Sequence, residues 1–186
     1  LEQQPVDILQ TGATYIQGET GKVSKKNDYS KAPESEINKP FQKIYWQVIN
    51  KKYETSCWTK IIRKDFLLSN QCFFDTTLLV EDLDWNMRML ICVKTYNILK
   101  CSDYVHVYRG NSITAGKDEK GMKICLDQIS TIEKWGRFFE KYTGNKELKA
   151  AMLSYLSYQF FITMGKATTL EDEWRKNVEK KLKEID

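Results

Sequence analysis

The 186 residues are 41% hydrophobic and 29% charged, with only nine Gly and three Pro. That is enough apolar material for one ordinary domain or one large lobe, and too few breakers for a disordered, collagenous or low-complexity chain. Twenty-nine Lys and Arg against 25 Asp and Glu leave a net charge of +4, spread along the chain and no argument for nucleic acid.

In chain order, residues 6–17 mix β-branched and aromatic side chains around Thr11-Gly12, which predicts one or two short strands. Residues 18–39 are polar and lysine-rich and read as a long surface loop. Asn38 as a cap and Pro40 in the first turn open a helix that carries Phe41, Tyr45, Val48 and Ile49 and runs to about Lys51. A second, short helix is expected over residues 59–68. Residues 73–80 are apolar and stop at Glu81-Asp82-Leu83-Asp84. From there Trp85, Met89, Cys92 and Tyr96 mark one helical face, while Leu83, Met87 and Leu90 mark the opposite one. A helix apolar on both sides belongs deep in the core. The alternation Tyr104-Val105-His106-Val107-Tyr108 predicts a strand ending in a turn at residues 109–112.

Three helices close the chain. The first carries Cys125, Ile129, Ile132, Trp135 and Phe139 on one stripe. The second, around residues 149–166, reads as a buried helix, because its apolar run is short of the roughly 20 residues a membrane span needs. The third carries a narrow seam of Leu170, Trp174, Val178, Leu182 and Ile185, with Thr168 and Glu171 spaced as a capping box. The chain opens on Leu1 without the features of a secretory signal, so a fragment of a cytoplasmic protein is expected.

A single histidine, His106, excludes sites that need two or more imidazoles. The five cysteines, odd in number and without a C-x-x-C pair, read as reduced core thiols. Pairing Cys57 or Cys101 with His106 as a thiol nucleophile lacks a family signature and is disfavoured.

Three stretches occur in a telling order: Thr55-Ser-Cys-Trp58-Thr-Lys60-Ile-Ile-Arg63-Lys-Asp-Phe66-Leu67, then Val80-Glu81-Asp82-Leu83-Asp84-Trp85, then Tyr108-Arg109-Gly-Asn111-Ser112-Ile-Thr114. Together they resemble the acceptor half of family 2 glycosyltransferases of the GT-A fold. The resemblance covers roughly residues 6–117. It implies an α/β fold, the C-terminal part of a GT-A-like domain, with a few mixed strands and a helical tail. Residues 1–118 would form the acceptor-side part and residues 119–186 the tail. The implied activity is inverting transfer of a sugar from a nucleotide-diphosphate donor to a glycan or lipid-linked acceptor. By analogy the pathway would be a bacterial surface polysaccharide, with peripheral contact at the inner membrane face.

The resemblance assigns the general base to Asp82, with Glu81 as support. The bland alternative is that Asp82 caps its helix. A helix N-terminus favours the ionised carboxylate, whereas burial beside Trp85 and repulsion from Glu81 and Asp84 oppose it. Substrate-binding candidates are Trp58, Lys60, His106, Tyr108 and Arg109. Trp58 is either a sugar platform or a core residue, and Lys60 and Arg63 are ordinarily solvated charges. His106, Tyr108 and Arg109 either face a diphosphate or form a plain edge strand, and the simple reading of Ser112 and Thr114 is that they fix the turn. A divalent cation, Mg²⁺ or Mn²⁺, is expected for the longer parent, held by donor-side carboxylates absent from these residues; none is expected on this chain, which should be inactive alone. Asp82-Leu83-Asp84 spells a D-x-D, and with Glu81 its oxygens suit a hard cation, but its place at a helix start after the Trp58 stretch argues against that use. The reading from another class is a non-catalytic module that docks a partner helix or membrane surface through the final amphipathic helix, against the favoured plain reading that this helix packs within the molecule.

Overall fold

A computed structural model describes residues 5–34, 36–109 and 116–185 as a mixed α/β fold with two small three-stranded sheets and six α-helices among them. The predicted opening strands are β1 (Ile8–Gln10) and β2 (Ala13–Gln17). Between them the chain changes sheet at Gly12, where a Cβ would lie 1.9 Å from the Asn27 carbonyl oxygen and 2.3 Å from that of Cys101. No side chain fits there without moving backbone.

The polar stretch after β2 departs from its expected loop. It contains β3 (Val23–Asn27), antiparallel to β2, and its Tyr29 and Ala32 are buried in the core. β3 escapes a pattern search because it is a sheet edge, exposed except at Asn27 and blunted by Lys25 and Lys26. Helix α1 (Pro40–Ile49) follows as predicted, with Pro40 in its first turn, but Lys39 rather than Asn38 occupies the cap position and no side chain caps it.

The helix expected over residues 59–68 is instead three elements: a 3₁₀ turn (Cys57–Thr59), strand β4 (Lys60–Ile62) and helix α2 (Lys64–Ser69). β-Branched Ile61 and Ile62 pair antiparallel with β1. Arg63 then bonds the buried Asp7 carboxylate at 2.7 Å, which accounts for Arg63 as a structural cation. Helix α3 (Glu81–Cys92) buries both faces as anticipated, although it ends before Tyr96, which lies on β5 (Tyr96–Ile98). Strand β6 (Tyr104–Tyr108) is the other predicted strand. β5 and β6 run parallel to β1 and β2, giving sheet orders β4-β1-β5 and β3-β2-β6.

The helices α4 (Glu119–Lys141), α5 (Lys146–Ala167) and α6 (Asp172–Lys183) complete the fold. Asp118 and Asn145 cap the first two by accepting from the amides of Gly121 and Leu148. The expected capping box of α6 is not formed. Glu171 holds the cap position without a side-chain bond, while the Thr168 hydroxyl donates to the Gly165 carbonyl. Trp135 and Phe139 of α4 and Leu148, Met152 and Tyr155 of α5 share one core with Ile8, Ile44, Met87 and Tyr96. A smaller core joins Cys125 and Ile129 to Val178, with Trp174 and Leu182 packed on it. The α6 seam therefore closes on α4 within the molecule. Helix α5 is only half buried: Tyr158, Phe161 and Ile162 are exposed. No helix among the described residues is long and apolar enough to cross a membrane.

Candidate functional site

Helix α3 begins without a side-chain cap, so Asp82 does not serve as one; Val80 occupies the cap position and Glu81, Asp82 and Asp84 fill the first turn. The two aspartates of the D-x-D then diverge. Asp84 turns inward, 1% exposed, and accepts from Arg88 at 2.7 Å, Lys134 at 2.6 Å and the Trp135 indole at 2.8 Å. Although burial opposes its charge, these bonds hold its carboxyl below the usual range.

Asp82 is half-buried beside the 3₁₀ turn, and its Oδ1 is enclosed without a hydrogen-bond partner. Burial is the main force on its protonation and Glu81 adds to it, while the Cys57 thiol and amide and the Lys60 ammonium act the other way. The net effect raises the carboxyl above its ordinary value, making it a better proton acceptor once ionised.

Lys60 enters this cluster from the start of β4. Its ammonium donates to the carbonyls of Glu54 and Ser56 and lies 5.7 Å from the centre of the Tyr53 ring. Burial pulls its pKa down to about 7, against the opposing pull of Asp82, Glu54 and Cys57. Lys60 is thus not a solvated surface charge. Asn86, one turn after Asp82, ties the two segments together: its amide donates to the carbonyls of Thr55 and Asp82, and its oxygen accepts from Tyr53. Asn86 is fully buried; its sequence signal is an amide set between Trp85 and Met87 on a helix apolar on both faces, where burial demands hydrogen-bond partners.

Trp58 next to Cys57 is half-buried rather than core. Its indole lies flat on Tyr104 and His106, with ring centres 4.6 and 4.9 Å away and planes inclined by 20° and 11°. This follows from the strand register, since Tyr104, His106 and Tyr108 point to one face of β6 and Tyr15 of β2 pairs with His106. Tyr15 stacks on Tyr108 at 5.9 Å and carries the Lys25 ammonium 5.0 Å above its ring. A continuous aromatic surface thus leads from Cys57 beside Asp82 to the end of β6. There exposed Arg109 lines a shallow cleft with Gln17, Gly18, Glu19, Thr20 and Tyr108.

The structure brings Asp82, Lys60 and Trp58 together around Cys57 and joins Trp58 to His106 and Tyr108, while Arg109 opens on the cleft at the far end of that surface. Glu81 flanks Asp82. Asn111, Ser112 and Thr114 lie outside the described residues. Among the described residues no three His, Cys, Asp or Glu side chains are arranged to hold a metal ion. Asp82 and Asp84 do not fit one jointly, because Asp84 is engaged by Arg88, Lys134 and Trp135. All five cysteines are free thiols. No family model matches the chain, and neither a curated protein nor a solved structure matches it.

Proposed function

We propose that these residues form the acceptor-side part of an inverting glycosyltransferase of the GT-A type, in which Asp82 is the general base. The observation that carries this reading is the Asp82 carboxylate itself, half-buried, raised in basicity, with one oxygen unpartnered and an aromatic surface beside it. Such a group is costly to keep in a fold, and groups of this kind cluster at functional sites. In the proposed step the acceptor hydroxyl gives its proton to Asp82 as its oxygen bonds to the anomeric carbon. The bond from that carbon to the diphosphate oxygen breaks with its electron pair, and the nucleoside diphosphate leaves.

Trp58, in contact with His106, offers an apolar ring to the C–H face of an acceptor sugar. Lys60 sets the charge around the base, and Arg109 at the strand end suits an anionic portion of a substrate. Any divalent cation belongs to donor-side residues outside this chain. The test is Asp82→Asn in the longer protein that carries the donor half. Turnover should fall by about 10²–10⁴-fold while nucleotide-sugar binding, read by calorimetry, stays near the wild-type level. Wild-type turnover in that variant would remove Asp82 from the chemistry.

A further inference from the structure

Helices α1 and α5 pack side by side and present an outer surface without charge. The exposed positions of α1, Gln42, Tyr45 and Ile49, are uncharged, and α5 has no charged residue at all between positions 150 and 165. This stands out in a chain that is 29% charged. Phe161 projects from this surface at 76% exposure, while Ile49, Ile162, Tyr158 and Tyr45 are 40–54% exposed. Behind them lies an apolar groove walled by Val48, Ile49, Tyr53, Ser154, Tyr155 and Tyr158, with Lys51 at its rim.

We propose that this face is the contact between two copies of the chain, paired about a two-fold axis with their α5 helices crossing antiparallel near Tyr158. The knob and the hole are on the same helix face. Phe161 lies three residues beyond Tyr158 and seven beyond Ser154, which both line the groove, while buried Tyr155 forms its inner wall. An antiparallel crossing centred on Tyr158 therefore sets each Phe161 opposite the partner's groove, and the arrangement is reciprocal as an isologous contact requires. Ser154 and Ser157 keep the face low enough for the helices to approach.

The exposed portions of the five large side chains amount to on the order of 600 Å² per copy, against roughly 800 Å² per partner in a stable complex. The small residues and Gln42 around them add to that area. Absence of charge suits a second copy, because groups near the two-fold axis face their own counterparts and a charge there would meet its like. A bilayer surface would be better served by lysines on this face, and α5 has none there.

Sedimentation equilibrium of the 186-residue chain from about 1 to 100 μM, in the range of weak protein contacts, tests the proposal. The expected result is a dimer whose dissociation constant rises by at least about 30-fold in Phe161→Glu, as for a central anchor. Ile49→Glu, on the other helix, should act in the same direction, and because the side chains are exposed both variants should keep the wild-type circular dichroism, and the wild-type melting temperature at concentrations low enough for the wild type to be monomeric. A wild-type monomer throughout that range, or a dimer indifferent to both substitutions, overturns the proposal. Flotation with phosphatidylcholine/phosphatidylglycerol vesicles is the second arm. Phe161-dependent binding of a monomer would give the face to a bilayer and likewise overturn the dimer.

Discussion

At Asp82 and Lys60 the fold holds two side chains against their ordinary protonation behaviour within one cluster, the carboxyl pushed up and the ammonium pushed down to about 7, in both cases chiefly by burial. A carboxyl raised above 3.8 binds its proton more tightly in the folded than in the unfolded state. Stability therefore falls as pH rises from the unfolded value through the folded one, and the deficit persists above it. Asp82→Asn removes the titration. Its melting temperature should match wild type near pH 3 and exceed it at pH 7, read by calorimetry at the two pH values. A variant less stable than wild type at pH 7 would mean that the carboxylate contributes to the fold, and its claim to be a functional group held at a cost would go. The role proposed for Asp82 rests, on the side of the sequence, on family resemblance alone. Its burial, and Asn86's hold on it, depend on residues 55 and 57 arriving from another element.

Between elements, the decisive position is Gly12. Two strands, β1 and β2, continue past it into different sheets, and the carbonyls of Asn27 and Cys101 crowd the space a side chain would need. The Gly12 amide donates to the Cys101 carbonyl at 3.0 Å, so the approach is itself a bond. Gly12→Ala should cost about 3 kcal/mol or more by urea denaturation, since backbone and not a flexible side chain must give way. Less than about 1 kcal/mol would show that β3 and the segment after β5 can move apart freely. The expected strands around Thr11-Gly12 and the two-faced helix α3 were legible because their patterns repeat along the chain itself. β3 and β4 were not. The first is an exposed lysine-bearing edge with no alternation, and the second is three residues long and exists only because β1 lies beside it.

Over the whole molecule, Asp84 joins the region of α3 to the helical tail through Lys134 and the Trp135 indole, with Arg88 closing the other oxygen. Asp84→Asn leaves these donors with a neutral acceptor, and because the Lys134 and Arg88 side chains reach water, the loss should be about 2 kcal/mol rather than that of a sealed ion pair. Guanidinium denaturation at pH 7 checks it; an unchanged midpoint would show that the link between α3 and α4 contributes nothing to the common core. The sequence by itself determined the helical tail, the buried α3, the strand bearing His106 and the acidic cluster, because hydrophobic period and residue type are local properties. Tertiary structure alone decided that one aspartate of the D-x-D turns into an ion-pair network while the other is left beside Cys57 and Lys60. It alone decided that α4 is the helix on which the α6 seam closes and that α5 keeps an apolar face outward. These outcomes depend on which surfaces meet, and identical side chains two residues apart enter different environments once a helix places them on different sides.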